Sequence, residues 1–137
     1  MTFTVRPATG DDADLTAYAA VVNAADPSNP TSLDELRWSD ATYPGGRRFL
    51  AEIGGRVVGA ATTGRIYVYP PDHPDAWLGV AVLRDERRRG IGTALWAAAS
   101  AHARSGGKVG FQLDVDATST DGIAFLEHRG FTEIERS

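Results

Sequence analysis

The chain has 137 residues, of which 42% are hydrophobic and 23% charged, and its formal net charge is −4; residues 1–137 are long enough for one domain with a core of its own. The acidic balance speaks against a general binder of nucleic acid or anionic membrane, and the absence of cysteine removes disulfides, thiolate metal sites and a cysteine nucleophile. No apolar run approaches membrane-spanning length and the N-terminus carries no secretory pattern, so a cytoplasmic protein is the expectation.

In chain order, Thr2 to Arg6 alternates as a strand that Pro7 stops. Asp11 or Asp12 can cap a helix running to about Ala25, with Leu15, Ala19, Val22 and Ala25 at helical spacing. Asp26-Pro-Ser-Asn-Pro30 breaks the chain, and Ser32 with Glu35 forms a capping box for a short helix through Leu36 and Trp38. After Tyr43-Pro-Gly-Gly46, Arg48 to Ile53 and Arg56 to about Tyr69 read as antiparallel strands around the Gly54-Gly55 turn. Pro70 to Pro74 is a stiff connection into an apolar strand from Trp77 to Leu83. A basic turn, Gly90 and Gly92 follow, and then an alanine-rich helix. Val109 to Ala117 alternates, with Phe111, Leu113 and Val115 on one face and Gln112, Asp114 and Asp116 on the other. A last helix runs from about Ser119 to His128 and stops at Gly130, before a strand at Phe131.

The strand, glycine turn and helix start form a place where backbone N–H groups stand outside the helix ladder, at the positive end of the helix dipole. Such a place accepts an anion such as a pyrophosphate, and Arg87, Arg88 and Arg89 add mobile positive charge to it. A nucleotide-hydrolase loop would need Gly-Lys-Ser/Thr, which is missing, and Leu95 occupies the third small position of a dinucleotide fingerprint. What fits is Arg87-x-x-Gly90-x-Gly92 after an apolar strand. This resembles the acetyl-CoA-binding motif of the GNAT superfamily of acyl-CoA-dependent N-acyltransferases. The stretch Ser119 to Phe131 resembles the family's other signature, an Asn-x-x-Ala helix ending in Gly-Phe.

The resemblance implies an α/β fold whose mixed, mostly antiparallel sheet carries helices on both faces. Two of its parallel strands splay apart to admit the pantetheine arm. It implies that acetyl-CoA is held by backbone groups of Val80, Ala81 and Val82, by the turn from Arg87 through Arg88, Arg89, Gly90, Ile91, Gly92 and Thr93, and by Ser119. No metal is implied. For the base that frees the attacking amine it points to Asp114, which reads equally as a solvated carboxylate or a binder of a cationic substrate. Glu52, His73, His102 and His128 read as surface residues, whereas Trp38 and Tyr43 read as an aromatic wall of the acceptor cleft or as core.

Two departures matter. The family's general-acid tyrosine position holds Leu126, leaving Tyr67, Tyr69 or water for that step, while Ser119 and Gly122 replace the asparagine and alanine. The sequence also stops at Ser137, before the family's usual final strand, which suggests a homodimer completed near the C-terminal strand or a second GNAT domain. The expected activity is transfer of acetyl to a primary amine in a ternary complex, with a silent acyl-CoA-binding domain or a plain interaction domain as alternatives. Small-molecule amines, antibiotics, polyamines, peptide N-termini and lysine all stay open as acceptors. The net acidity leans towards a cationic one.

Overall fold

The computed structural model describes residues 2–113, and the expectations for Asp114, Ser119, Gly122, Leu126, His128 and the terminal strand lie outside the described residues. The elements run β1 (Thr4–Pro7), α1 (Asp12–Ala25), α2 (Leu33–Thr42), β2 (Arg47–Ile53), β3 (Arg56–Arg65), β4 (Asp75–Val82), α3 (Ile91–Ser105) and β5 (Gly110–Gln112). The strands lie side by side in chain order; each neighbouring pair is antiparallel except β4 and β5, which are parallel. This is the mixed sheet expected. Among the described residues no helix is long and apolar enough to cross a membrane.

Alternation along the strands sends side chains to two separate cores. Phe49, Ala51, Ala61 and Leu78 meet α3 through Ile91, Leu95 and Ala99, while Leu50 and Ala60 meet α1 and α2 through Leu15, Tyr18, Ala19, Val21 and Leu36. A bulge at Ala51/Glu52 interrupts the alternation. It turns Val58 and Gly59 to the same side, towards α3. Gly59 has to be small there, because a Cβ would stand 2.9 Å from Leu95 Cδ1 and 3.1 Å from Ile91 Cγ2.

Helix starts follow the local signals. Asp11 accepts from the Asp14 amide (2.9 Å), and Ser32 Oγ accepts from the Glu35 amide (3.2 Å). On the buried face of α1, Asp14 is a charge among apolar residues. It is matched by both terminal nitrogens of Arg6 (2.8 Å each) and by the amide and hydroxyl of Thr9 (2.7 and 3.0 Å). The Arg6 hydrogen bond, and then the Thr9 amide, hold its carboxyl well below the usual carboxylate range. Arg6 also donates to Glu52 at 2.6 Å, so Glu52 is a half-buried ion-pair partner and not idle surface charge.

One strand ends early. The residues Ile66 to Tyr69 favour extended chain by type, yet β3 stops at Arg65. Arg65 pairs with Ala76, and before Asp75 lies Pro74, so β4 supplies no ladder for the residues beyond. The chain turns instead, with the Tyr69 amide bonded to the Ile66 carbonyl (3.1 Å). His73 is likewise engaged: its Nδ1 accepts from the Asp75 amide (3.1 Å) and its ring stacks on Tyr69, centroids 4.1 Å apart.

Candidate active site

After β4 the chain makes one 3-10 turn, Arg84–Glu86, and then passes through two left-handed residues, Arg88 (φ 65°) and Gly90 (φ 82°). Gly90 caps α3, and the first bond inside the helix runs from the Ala94 amide to the Gly90 carbonyl (3.0 Å). The amides of Ile91 and Gly92 therefore precede the helical ladder, at the positive end of its dipole. A Cβ added at Gly90 would find nothing within 4 Å, so the turn leaves open space for a ligand.

Two of the three arginines are held in place. Arg87 Nε donates to the Val82 carbonyl (3.1 Å), tying the turn to the end of β4. Glu86 lies 3.4 Å from Arg89 and 3.5 Å from Arg56, holding both. Arg88 is exposed. A half-buried carboxylate beside the turn draws in one of its charges, which a basic run alone does not reveal.

Among the described residues, the neighbouring strand edge is open. β5 pairs with β4 only at Asp75, Ala76 and Trp77, and Leu113 has already left the ladder. Among the described residues, Leu78 to Val82 thus have no strand on that side. Which main-chain groups face the gap follows from the ladder on the other side. The Leu83 amide donates to the Val58 carbonyl (2.9 Å), and Val82 stands opposite Gly59. Antiparallel alternation then turns the N–H and C=O of Ala81 and Gly79 towards β3 and those of Val80 and Val82 towards the gap. Arg87 reaches the Val82 carbonyl from there. The main-chain groups of Val80 and Val82 thus face away from β3, whereas those of Ala81 face its partner Ala60.

A second concavity of about 380 Å³ adjoins the first half of β4, on the α2 side of the sheet. It lies between the end of α2, the Tyr43–Gly46 turn, the end of β3 and Trp77. Trp77 is about 10 Å along the strand from Val80. Trp38 and Tyr43 are 63% and 47% exposed, which makes them a surface wall and not core. Their rings meet edge to face at 6.0 Å, and Tyr43 lies 5.0 Å from Tyr67. The Tyr67 hydroxyl donates to the Pro44 carbonyl, so its proton is already engaged.

Sequence reasoning missed the charges in this cleft. Arg48 ion-pairs with Asp40 at 2.8 Å and lies over the buried Tyr18 ring, 5.0 Å from its centroid. Burial is the largest influence and works against the Arg48 charge, but the bond to Asp40, its charge and Tyr18 together outweigh it and leave the pKa raised. Arg65 stacks on Tyr67 at 4.5 Å and donates to the Tyr69 carbonyl (3.1 Å). Only the register, Arg48 against Thr62 and Arg47 against Thr63, brings the starts of β2 and the end of β3 together.

A sequence profile described as the acetyltransferase (GNAT) family matches residues 16–131. No curated protein matches the chain in sequence. Among solved structures, AAC(6')-Iy in complex with the bisubstrate analogue CoA-S-monomethyl-acetylneamine is similar with a TM-score of 0.79 and 21% identity, over 100% of this chain and 95% of that one. The aminoglycoside antibiotic 6'-N-acetyltransferase AAC(6')-Ih of Acinetobacter baumannii gives 0.78 and 23%, over 99% and 95%. A ribosomal-protein-alanine N-acetyltransferase of Brucella melitensis gives 0.77 and 26%, over 96% and 86%.

Proposed function

The chain belongs to the acetyltransferase (GNAT) family of acetyl-CoA-dependent N-acetyltransferases, and from that premise we propose that it transfers acetyl directly to a primary amine while both substrates are bound. Acetyl-CoA, when bound, supplies an activated thioester. The observation that carries the reading is the continuity of the Gly90 turn with the β4 edge at Val80 and Val82, which no described strand covers. The amides of the α3 start suit a pyrophosphate, and the outward main-chain groups of Val80 suit the amide-rich arm and the carbonyl to be attacked. An N–H aimed at that carbonyl oxygen stabilises the negative charge that develops there.

The acceptor enters from the aromatic cleft, one short stretch of β4 away. An alkyl amine has a pKa of roughly 10 and attacks only when neutral, so a base is needed at neutral pH. We assign that role to Asp114, just past β5. With Leu126 at the usual acid position and the Tyr67 hydroxyl engaged, the leaving thiolate takes its proton from Tyr69 or from water. Leu126 also supports a second reading, a catalytically silent acyl-CoA-binding domain with a sensing or scaffolding role.

Two measurements test these readings. Acetyl-CoA at about a hundred times its dissociation constant should stabilise the fold by roughly 2.7 kcal/mol, while NAD should not. Asp114→Asn should lower kcat on amines by roughly a hundredfold or more at neutral pH and leave acetyl-CoA affinity unchanged. The absence of any shift with acetyl-CoA or CoA sinks both readings. Binding without turnover on any amine selects the silent domain.

A further inference from the structure

Resting on the transferase reading, we propose that the acceptor is an amine that also carries a carboxylate and an apolar side group, a free amino acid and not a polycation. The charge inside the cleft has the opposite sign to the chain. Its described lining contains three arginines, Arg47, Arg48 and Arg65, and one carboxylate, Asp40. Asp40 answers Arg48. Arg47 and Arg65 have no carboxylate within ion-pair distance among the described residues.

Arg65 is held by uncharged groups. One terminal nitrogen is spent on the Tyr69 carbonyl, its plane lies on Tyr67, and its Nε is buried without a hydrogen-bond partner. A guanidinium fixed by packing and a neutral carbonyl keeps its full positive field, and aromatic walls of low polarity let that field persist across the cleft. Guanidinium geometry selects a planar carboxylate. The same cleft exposes the rings of Tyr43, Tyr67 and Trp77, which suit an apolar side group. Among the described residues, a polyamine or a polycationic antibiotic would bring like charges to Arg47 and Arg65, and the one lining carboxylate, Asp40, is already committed to Arg48.

The test uses L-phenylalanine and phenethylamine, amines that differ only in the carboxylate, with spermidine as the polycation. Dissociation constants are measured by calorimetry on the full chain with CoA present, and turnover by thiol release from acetyl-CoA. L-Phenylalanine should bind roughly tenfold more tightly than phenethylamine, as a charge-assisted contact predicts. In Arg65→Gln and Arg47→Gln that advantage should shrink to about threefold or less, because L-phenylalanine loses affinity while the phenethylammonium cation, relieved of a like charge, does not. Equal binding, preference for phenethylamine or spermidine, or an advantage that survives both substitutions overturns the proposal. The binding contrast without turnover of any of these amines upholds carboxylate recognition in the cleft and overturns the transferase reading. Turnover that favours the decarboxylated or polycationic amines does the reverse.

Discussion

Gly59→Ala should destabilise the protein, although the backbone at position 59 is one that alanine can adopt. Shortening the list of unfolded conformations would by itself stabilise by about 0.4–1 kcal/mol. Against this, the new Cβ would stand 2.9 Å from Leu95 Cδ1, 3.1 Å from Ile91 Cγ2 and 3.4 Å from Ala51 Cβ. Methyl groups at the ends of side chains can move if space exists, but Leu95 and Ala51 are fully buried and Ile91 nearly so. Overpacking of this kind costs about 1–3 kcal/mol, so the net loss should be about 1.5 kcal/mol, or about 5 °C in Tm for a chain of this length. Because α3 must shift and Ile91 opens it, the KM for acetyl-CoA should rise as well. Calorimetric melting checks the first effect, and Leu95→Ala in the Gly59→Ala background checks its cause. That second substitution should cost about 1 kcal/mol less in the variant than in the parent. A variant as stable as the parent, or strict additivity, would refute the packing argument.

Gly90→Ala separates the turn's backbone from its ligand. The left-handed conformation costs alanine about 1–2 kcal/mol, and no neighbour lies within 4 Å of the new Cβ, so Tm should fall by only about 4 °C. Acetyl-CoA affinity by calorimetry should fall roughly tenfold, and an unchanged affinity would place the phosphates elsewhere. Gly110→Ala puts a Cβ 2.2 Å from Asp75 Oδ1 and forces Asp75 off Gln112, loosening the short β4–β5 ladder. Amide exchange at Phe111 should accelerate, and an unaltered rate counts against that role for Asp75. The depressed pKa of Asp14 means that its stabilisation is complete above the unfolded value, about pH 4, and is lost as pH falls through the folded value. Asp14→Asn should therefore lower the urea midpoint at pH 7 and flatten its decline below pH 4, whereas parallel declines would deny Asp14 that role.

The glycine turn was legible because its requirements are local. A left-handed backbone at position 90 and a helix start immediately after it depend on the residues in that stretch, and glycine spacing records them. The caps at Asp11 and Ser32 were legible for the same reason. The end of β3 was not. Ile66 to Tyr69 have strand-favouring side chains, but extended structure needs a neighbour, and β4 begins only at Asp75. The buried face of α1 was read from apolar spacing alone, which cannot show that Asp14 belongs to it once Arg6 and Thr9 satisfy its oxygens.

Charge is where reading along the chain fails most. A net of −4 averages over the whole surface, whereas screening beyond about a Debye length means that a bound substrate responds to the groups within a few ångströms. The basic run at Arg87 to Arg89 looked like the site's positive charge, yet Glu86 holds Arg89 and the Val82 carbonyl holds Arg87. Arg47 and Arg65 stand apart in sequence and announce nothing, but the β2–β3 register sets them at one cleft, where Asp40 is committed to Arg48. On the reading proposed above, the charge that an acceptor meets in this cleft is set by how the strands pair, a property that neither the glycine motif nor the net charge records.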